Sequence, residues 1–437
     1  MLDTVDTDIP QVGAMPVISQ AILDEGMAKH RMFLRGQLGG KRAIFQYKDL
    51  SGLNFRSYDL SQSDFTGSIL VAADLSLCTF KNSCFFGCDM RDCDLSHSDL
   101  SRTDLRGTIM SGANLSGANL ADADMREGQI MQKSETGDLV KRIRKGVTGS
   151  QTMLTGARLA HADLSRIRAR NADFSDTDMS SSISHDGDFN QAVFNGANLS
   201  NADFSGSDLT SSNMQRAILS GIIMKDTENY NIDTADAITN IQEGLKIEDS
   251  GQTLKEMLEE HAIWIKSVGK NGKQMDLSGY DMRSVEDLRL YPLTAIRAIK
   301  ASFINLDLNY ASIQSSVLDK SDFRDAYMDN SDLRGSHLRN AVMTRVSMRS
   351  ARLSPLQFTN DDGSIRINRV DLSGADLRFS DLQNIDLRDA IMIGVDLSGA
   401  DLSGADLRRA DLTGAILKGI KLDDANLTGA IIDFSAI

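Results

Sequence analysis

The chain has 437 residues, a formal net charge of −14 and a pI near 4.9. That balance excludes bare nucleic acid and anionic membrane as default partners, since like charges repel. With only 4 Pro, almost every residue keeps a backbone N–H to donate. No apolar stretch is long enough to insert in a membrane.

The first ten residues, MLDTVDTDIP, are acidic and lack the basic-then-apolar order of a signal peptide, so the expected compartment is the cytoplasm. Residues 1–15 read as disordered. An amphipathic helix is expected from about Val17 to Arg35, with Leu23, Met27, His30 and Phe33 near one side. From Phe45 onward an apolar residue recurs every five positions, through Leu50, Phe55 and Leu60 to Ile130. Residues 131–151 break this pattern and contain the basic run Lys141, Arg142, Arg144 and Lys145. The period resumes in a shifted phase at Leu154, weakens at Ala169 and Ser184, and is clear again from Phe189 to Met224.

Residues 225–252 are polar, with a short helix expected after Asp233. A second amphipathic helix is expected over 252–267, with Ser250 as N-cap and Gly269 beyond its end. Repeats restart at Leu277, lapse over 284–300 and run from Phe303 to Leu353. A second break, 354–368, precedes the final block from Leu372 to Ile432.

A period of five suits neither a helix nor a strand. On a helix the step rotates by roughly 500° and smears the apolar positions around the axis. On a strand an odd step alternates faces. The step does suit a chain that turns a corner every five residues and points the same slot inward. The final block is consistent throughout. Slot 1 is small or apolar (Ala375, Ala390, Ala400), slot 2 is mostly Asp, and slot 3 is Leu or Met (Leu372, Leu377, Met392). Slots 4 and 5 are rich in Ser, Gly and Arg, as exposed corners require. One quintet buries about one Leu, worth roughly 2 kcal/mol. Ordering its five residues costs roughly 5–10 kcal/mol. Only a stacked array can be stable.

This pattern resembles the pentapeptide-repeat family, whose motif is A-(D/N)-L-x-x. The resemblance implies an all-β fold: a right-handed quadrilateral β-helix with four quintets per coil and about 4.8 Å between coils. The expected organisation is a tail and capping helix (1–44), a first β-helix (45–224), a linker with its amphipathic helix (225–276) and a second β-helix (277–437). Each of the two β-helical segments is thus preceded by an α-helix. The two helices align without a gap, Leu23 with Leu254, His30 with His261 and Phe33 with Trp264. Both segments then break midway. We read this as an internal duplication.

No residue set carries catalytic chemistry. Cys78, Cys88 and Cys93 fall in slot 1, a place that suits a small buried side chain, and Cys84 falls in slot 2. The Asp residues recur in slot 2 for a structural reason. No cofactor or metal is expected. The reading favours a non-catalytic protein-interaction scaffold of a cytoplasmic, bacterial kind. Its candidate partner-binding residues are Lys141, Arg142, Arg144 and Lys145 in the first break, and His261 with Trp264 on the second helix. Apolar Ile431, Ile432 and Phe434 suggest a homodimer through the C-terminal end. One alternative, drawn from the family, is a DNA-mimicking modulator of DNA gyrase or topoisomerase. Basic residues two places after many Asp argue for salt pairing instead. The other alternative is a secreted effector acting in a host cell.

Overall fold

The computed structural model describes residues 15–129, 131–133, 139–141, 150–240, 244–285, 288–289, 292–359 and 363–433. The chain divides into two units, Met1–Asn240 and Ile241–Ile437. Each is a right-handed four-sided β-helix. Parallel bridges join slot-2 residues of successive coils, such as Ile44 with Asp64 and Asp49 with Ile69, a spacing of 20 residues.

The backbone donors of one quintet can be followed one by one. The slot-3 N–H of Leu50 donates to the Ile69 carbonyl in the next coil, and the slot-5 N–H of Gly52 to the Val71 carbonyl. The slot-2 N–H of Asp64 reaches back to the Ala43 carbonyl. The slot-1 N–H of Leu53 closes the corner on the Leu50 carbonyl. That leaves slot 4, and the Ser51 N–H donates to Oδ1 of its own slot-2 residue, Asp49. The recurring Asp therefore satisfies a main-chain donor that is left without a backbone carbonyl from the neighbouring coils. Asn54 and Asn114 do the same for Arg56 and Ser116.

Nearly every corner has positive φ at slot 5, the signature of a type II turn. Gly52 stands there at 67°, but so do Tyr47 at 54° and Gln62 at 64°. A side chain in this region costs about 1–2 kcal/mol, so the inter-coil ladder holds these corners against local preference. Slot 3 fills the axis. Leu50, Phe55 and Leu60 are fully buried, as are Leu333 and Leu397 in the second unit. Small central residues at Ala169 and Ser184 are compensated by interlocked rings of Phe174, Phe189, Phe194 and Phe204.

Each unit opens with a short bridge and a helix. In the first unit Val17 pairs with Asp49, and Ser19 caps α1, Gln20–Leu34. In the second, Leu245 pairs with Tyr280 before α2, Leu254–Lys266. The N-cap of α2 is Thr253 rather than Ser250, because Thr253 and Glu256 form a reciprocal capping box.

The structure corrects the expected boundaries elsewhere. The coil does not stop at 224. Asp208, Asn213 and Ile218 bridge Glu228, Asp233 and Ile238, so no helix follows Asp233. The only regular element of the linker before α2 is a 3-10 turn, Ile247–Ser250, among the described residues. The lapse over 284–300 is also shorter than expected. Leu288, Leu293 and Ala298 are buried in slot 3. A single extra residue lengthens the bridge spacing to 21, as between Asp276 and Arg297.

The two midway breaks are antiparallel hairpins. In the first unit β1, Met131–Lys133, pairs with β2, Leu139–Lys141. In the second, β3, Leu356–Thr359, pairs with β4, Ile365–Asn368. The coil closes beneath each of them without losing register. Ile109 bridges Met153, a spacing of 44, and Arg352 bridges Asp386, a spacing of 34.

Candidate interaction surfaces

Both hairpins leave the coil over a glycine. Gly107 lies in slot 5 under the root of the first hairpin, and a Cβ there would come 2.1 Å from the Gly128 carbonyl oxygen. Gly335 occupies the matching corner of the second unit, where a Cβ would meet Asn368 and Leu356 at 3.2 and 3.3 Å. Positive φ and close approach together make both corners glycine positions.

The face beside each root is rich in arginine. In the first unit Arg106, Arg126 and Arg170 stack in slot 4 of successive coils, and line a cleft of about 290 Å³ with Glu127 and Asn171. Each of the first two grips its own slot-2 carboxylate with Nε and Nη2. Arg106 holds Asp104 at 2.9 and 2.7 Å, and Arg126 holds Asp124 at 3.0 and 2.8 Å. Arg168, standing in slot 2 itself, also reaches Asp124 at 3.1 Å. Burial alone would raise the Asp124 carboxyl, but hydrogen bonds from Arg126 hold it below the usual carboxylate value. The Asp104 pair pushes the Arg106 guanidinium up, and that guanidinium also lies 5.2 Å over the Phe86 ring.

The second unit has a related arrangement, with Ser354 in slot 4 of the coil between Arg334 and Arg388. Arg334, Arg388 and Arg408 occupy slot 4, each bidentate on Asp332, Asp386 or Asp406. Arg352 stands in slot 2 and contacts Asp332 at 2.6 Å. The adjoining groove, about 530 Å³, runs between the hairpin and the last coils, and Ile367, Arg369, Asp389, Arg409 and Ile431 are among its walls. Ile365 and Ile367 are more than half exposed.

The residues singled out from the sequence fall in different places. Lys141 ends β2, paired through its backbone with Met131. Arg142, Arg144, Lys145 and Phe434 lie outside the described residues. Ile431 is exposed and Ile432 half-buried. His261 presents no surface to a partner. It is fully buried, its Nδ1 accepts the Met275 N–H at 3.1 Å, and its Nε2 lies 3.0 Å from the Thr294 carbonyl. Trp264 stacks on it at 5.7 Å. His30 is the counterpart. It accepts the Ala43 N–H at 3.1 Å and stacks on Phe33 at 5.7 Å. These pairs lock each helix to the first quintet of its coil.

Cys78, Cys88 and Cys93 are buried, and each thiol donates to a carbonyl of the preceding coil. Burial pushes the Cys78 thiol up to about 12, so these thiols are packing groups. Of the arginine faces only the stacking of Arg388 near Arg408 was legible in the sequence. Their members lie a coil apart, and the hairpins hide that spacing. The signal available was Arg106 and Arg126 at a spacing of 20.

Quintets that turn corners around a filled axis, with backbone donors passed from coil to coil, define a right-handed quadrilateral β-helix. The profile for pentapeptide repeats matches eight copies, over residues 43–82, 88–126, 152–183, 188–226, 321–354, 370–409 and 405–436. The chain belongs to the pentapeptide-repeat family. No curated protein sequence matches it.

Among solved structures it is similar to HetL, a pentapeptide repeat protein involved in heterocyst differentiation regulation in the cyanobacterium Nostoc. The two are 20% identical over 93% of this chain and 97% of HetL, with a TM-score of 0.19. It is also similar to full-length QnrB1, a plasmid-mediated fluoroquinolone resistance protein, at 15% identity over 52% of this chain and 90% of that one, TM-score 0.24. A pentapeptide repeat protein of the Arabidopsis thaliana thylakoid lumen is 30% identical over 29% of this chain and 70% of its own, TM-score 0.15. Family membership rests on the repeat itself. Among the described residues no helix is long and apolar enough to cross a membrane.

Proposed function

We propose that this chain is a non-catalytic protein-interaction scaffold whose specificity lies at the two hairpins. The observation that carries the reading is that in each unit a hairpin leaves an otherwise regular coil over a glycine corner beside an arginine-rich face. Insertions that interrupt a rigid scaffold are where binding concentrates. In sequence the first break carries the basic run Lys141, Arg142, Arg144 and Lys145, and the second hairpin presents exposed apolar residues, Ile365 and Ile367.

The acidic-rod alternative has less support. A phosphate mimic needs carboxylates open to a partner, and slot-2 Asp residues are engaged by their own slot-4 N–H groups and often by arginine, as at Asp376 and Asp406.

The test is capture from the source cell's lysate by the full chain and by a variant with 131–149 replaced by a short Gly-Ser turn. A partner retained by the full chain and lost by the variant supports the reading. Retention of gyrase by both, at low salt only, overturns it in favour of the acidic rod. Self-association is a further part of the proposal, supported by the exposed Ile431 at the groove wall. Sedimentation should give a dimer that Ile431→Asp converts to monomer. A concentration-independent monomer for the unaltered chain overturns that part.

A further inference from the structure

The arginine faces at the hairpin roots have a partner chemistry of their own. In the first unit, slot 4 elsewhere holds arginine only at Arg56 and Arg91. Three arginines in consecutive coils of one face, joined by Arg168 where the repeat calls for Asp, set this face apart. Four guanidinium groups there meet three slot-2 carboxylates, Asp104, Asp124 and Asp188. The second unit arrives at the same balance with different residues. Arg334, Arg352, Arg388 and Arg408 meet Asp332, Asp386 and Asp406. Glu127 in the first cleft brings that face to balance, and the second keeps one arginine in excess, so a chain of net charge −14 twice carries an arginine-rich face free of net negative charge, each time at the root of its hairpin.

The geometry leaves these guanidiniums able to bind. Arg106, Arg126 and Arg388 use Nε and Nη2 on their own carboxylates, and among the described residues Nη1 has no partner. Their side chains are 40, 45 and 42% exposed. Each slot-2 carboxylate fixes its arginine in place, so little rotamer freedom is left to lose on binding. Planar donors held at the coil spacing suit carboxylates of an extended chain.

We propose that each hairpin root is a docking track for an acidic peptide segment of a protein partner, so that one chain carries two equivalent tracks. The proposal rests on the scaffold reading and names the partner's chemistry. The charge pattern favours peptide over nucleic acid. Both tracks are short, and the rest of the acidic surface repels a long polyanion.

The test uses the full chain and a fluorescein-labelled deca-glutamate peptide, read by fluorescence anisotropy and by stoichiometry. Two double variants, Arg106→Ser with Arg170→Ser and Arg388→Ser with Arg408→Ser, remove slot-4 arginines in favour of the Ser that the repeat already uses beside Asp59 and Asp371. Far-UV circular dichroism confirms that each variant is folded. The expected result is two peptides per chain, one after either double variant, and affinity about tenfold weaker when Arg126→Ser alone is introduced at the first track. Salt should weaken all of these. No binding by the full chain overturns the proposal, as does binding unchanged in the folded variants. Tighter binding of a ten-nucleotide single-stranded DNA of matched charge overturns it in favour of nucleic acid. If the lysate partner is lost with the first hairpin while deca-glutamate fails to bind, the scaffold reading stands and this one falls.

Discussion

The two units solve one problem with unequal materials. Both begin with a bridge, a capped helix and a buried histidine that accepts the first slot-1 N–H of the coil, and both eject a hairpin over a glycine. Their interiors and caps differ. The first unit is filled by stacked phenylalanines, with Phe65 touching the rings of Phe45, Phe55, Phe80 and Phe85. The second is mainly Leu and Met, with one stacked pair, Phe303 and Phe323. The α2 cap is a full capping box, whereas Ser19 reaches the Ile22 N–H only at 3.5 Å. His261 Nε2 lies at hydrogen-bond distance from the Thr294 carbonyl, while the matching His30 nitrogen lies near the Ser61 carbonyl outside good hydrogen-bond geometry. The difference teaches what the architecture requires. Donor routing, the histidine clamp and the hairpin glycine are shared, and the volume of individual core residues is not.

The comparison can be broken most severely in the core of the first unit. Phe65→Ala should cost about 3–5 kcal/mol, because four neighbouring rings cannot all collapse into the space. The chain's single Trp264 sits in the second unit, so urea melts can separate the units. The Phe65 change should move far-UV circular dichroism and leave the Trp264 fluorescence midpoint in place. A shift of both midpoints together would show that the units do not melt separately.

The hairpin glycines come next. Gly107→Ala should cost on the order of 3 kcal/mol, combining the positive-φ penalty with collision against the Gly128 carbonyl. Gly335→Ala should cost about 1–2 kcal/mol, the penalty for φ alone. Its neighbours are the Asn368 Cβ, a Leu356 methyl and the Asn368 carbonyl oxygen, at the more tolerant distances of 3.2, 3.3 and 3.4 Å. Equal losses at the two sites would remove the argument that the first root is the tighter.

His261→Ala should cost about 1–3 kcal/mol by leaving the buried Met275 N–H without its acceptor. Acid should imitate this change. Burial holds both imidazoles below the usual histidine value of 6.5. Near His30, Asp59 pulls upward and Arg42 downward, while the Thr294 carbonyl raises His261. The unfolded chain therefore takes protons first. The clamp's stability is fully present above about pH 6.5 and is lost as pH falls toward the lower folded values. The Trp264 urea midpoint should drop between pH 7.5 and 5, and His261→Ala should remove that drop. Smallest is the cap. Thr253→Ala should cost about 1 kcal/mol in the second unit, and Ser19→Ala less in the first, given its longer hydrogen bond.

Much of this was legible in the sequence. The slots declared themselves because slot 3 must be buried and slot 2 must cap, so Leu372, Ala375 and Asp376 each predict a place. The pairing of His30 with His261 and of Phe33 with Trp264 was visible as an ungapped alignment. The continuation of the coil over 225–238 was not, because its slot-3 residues are Asn229 and Thr234, which have little apolar signal. The arginine faces, beyond the stacking of Arg388 near Arg408, were hidden for another reason. A face is assembled from residues 20 apart, and a hairpin changes that number to 44 or 34 without leaving a mark in the local pattern.

The donor accounting separates acidity from architecture. Slot 2 needs an oxygen that accepts the slot-4 N–H, and a neutral amide serves as well as a carboxylate. Asn198, Asn213 and Asn426 already do this work for Ser200, Gln215 and Thr428. The net charge of the rod is therefore free to drift under selection while its backbone stays the same. One skeleton can thus carry coats of different charge.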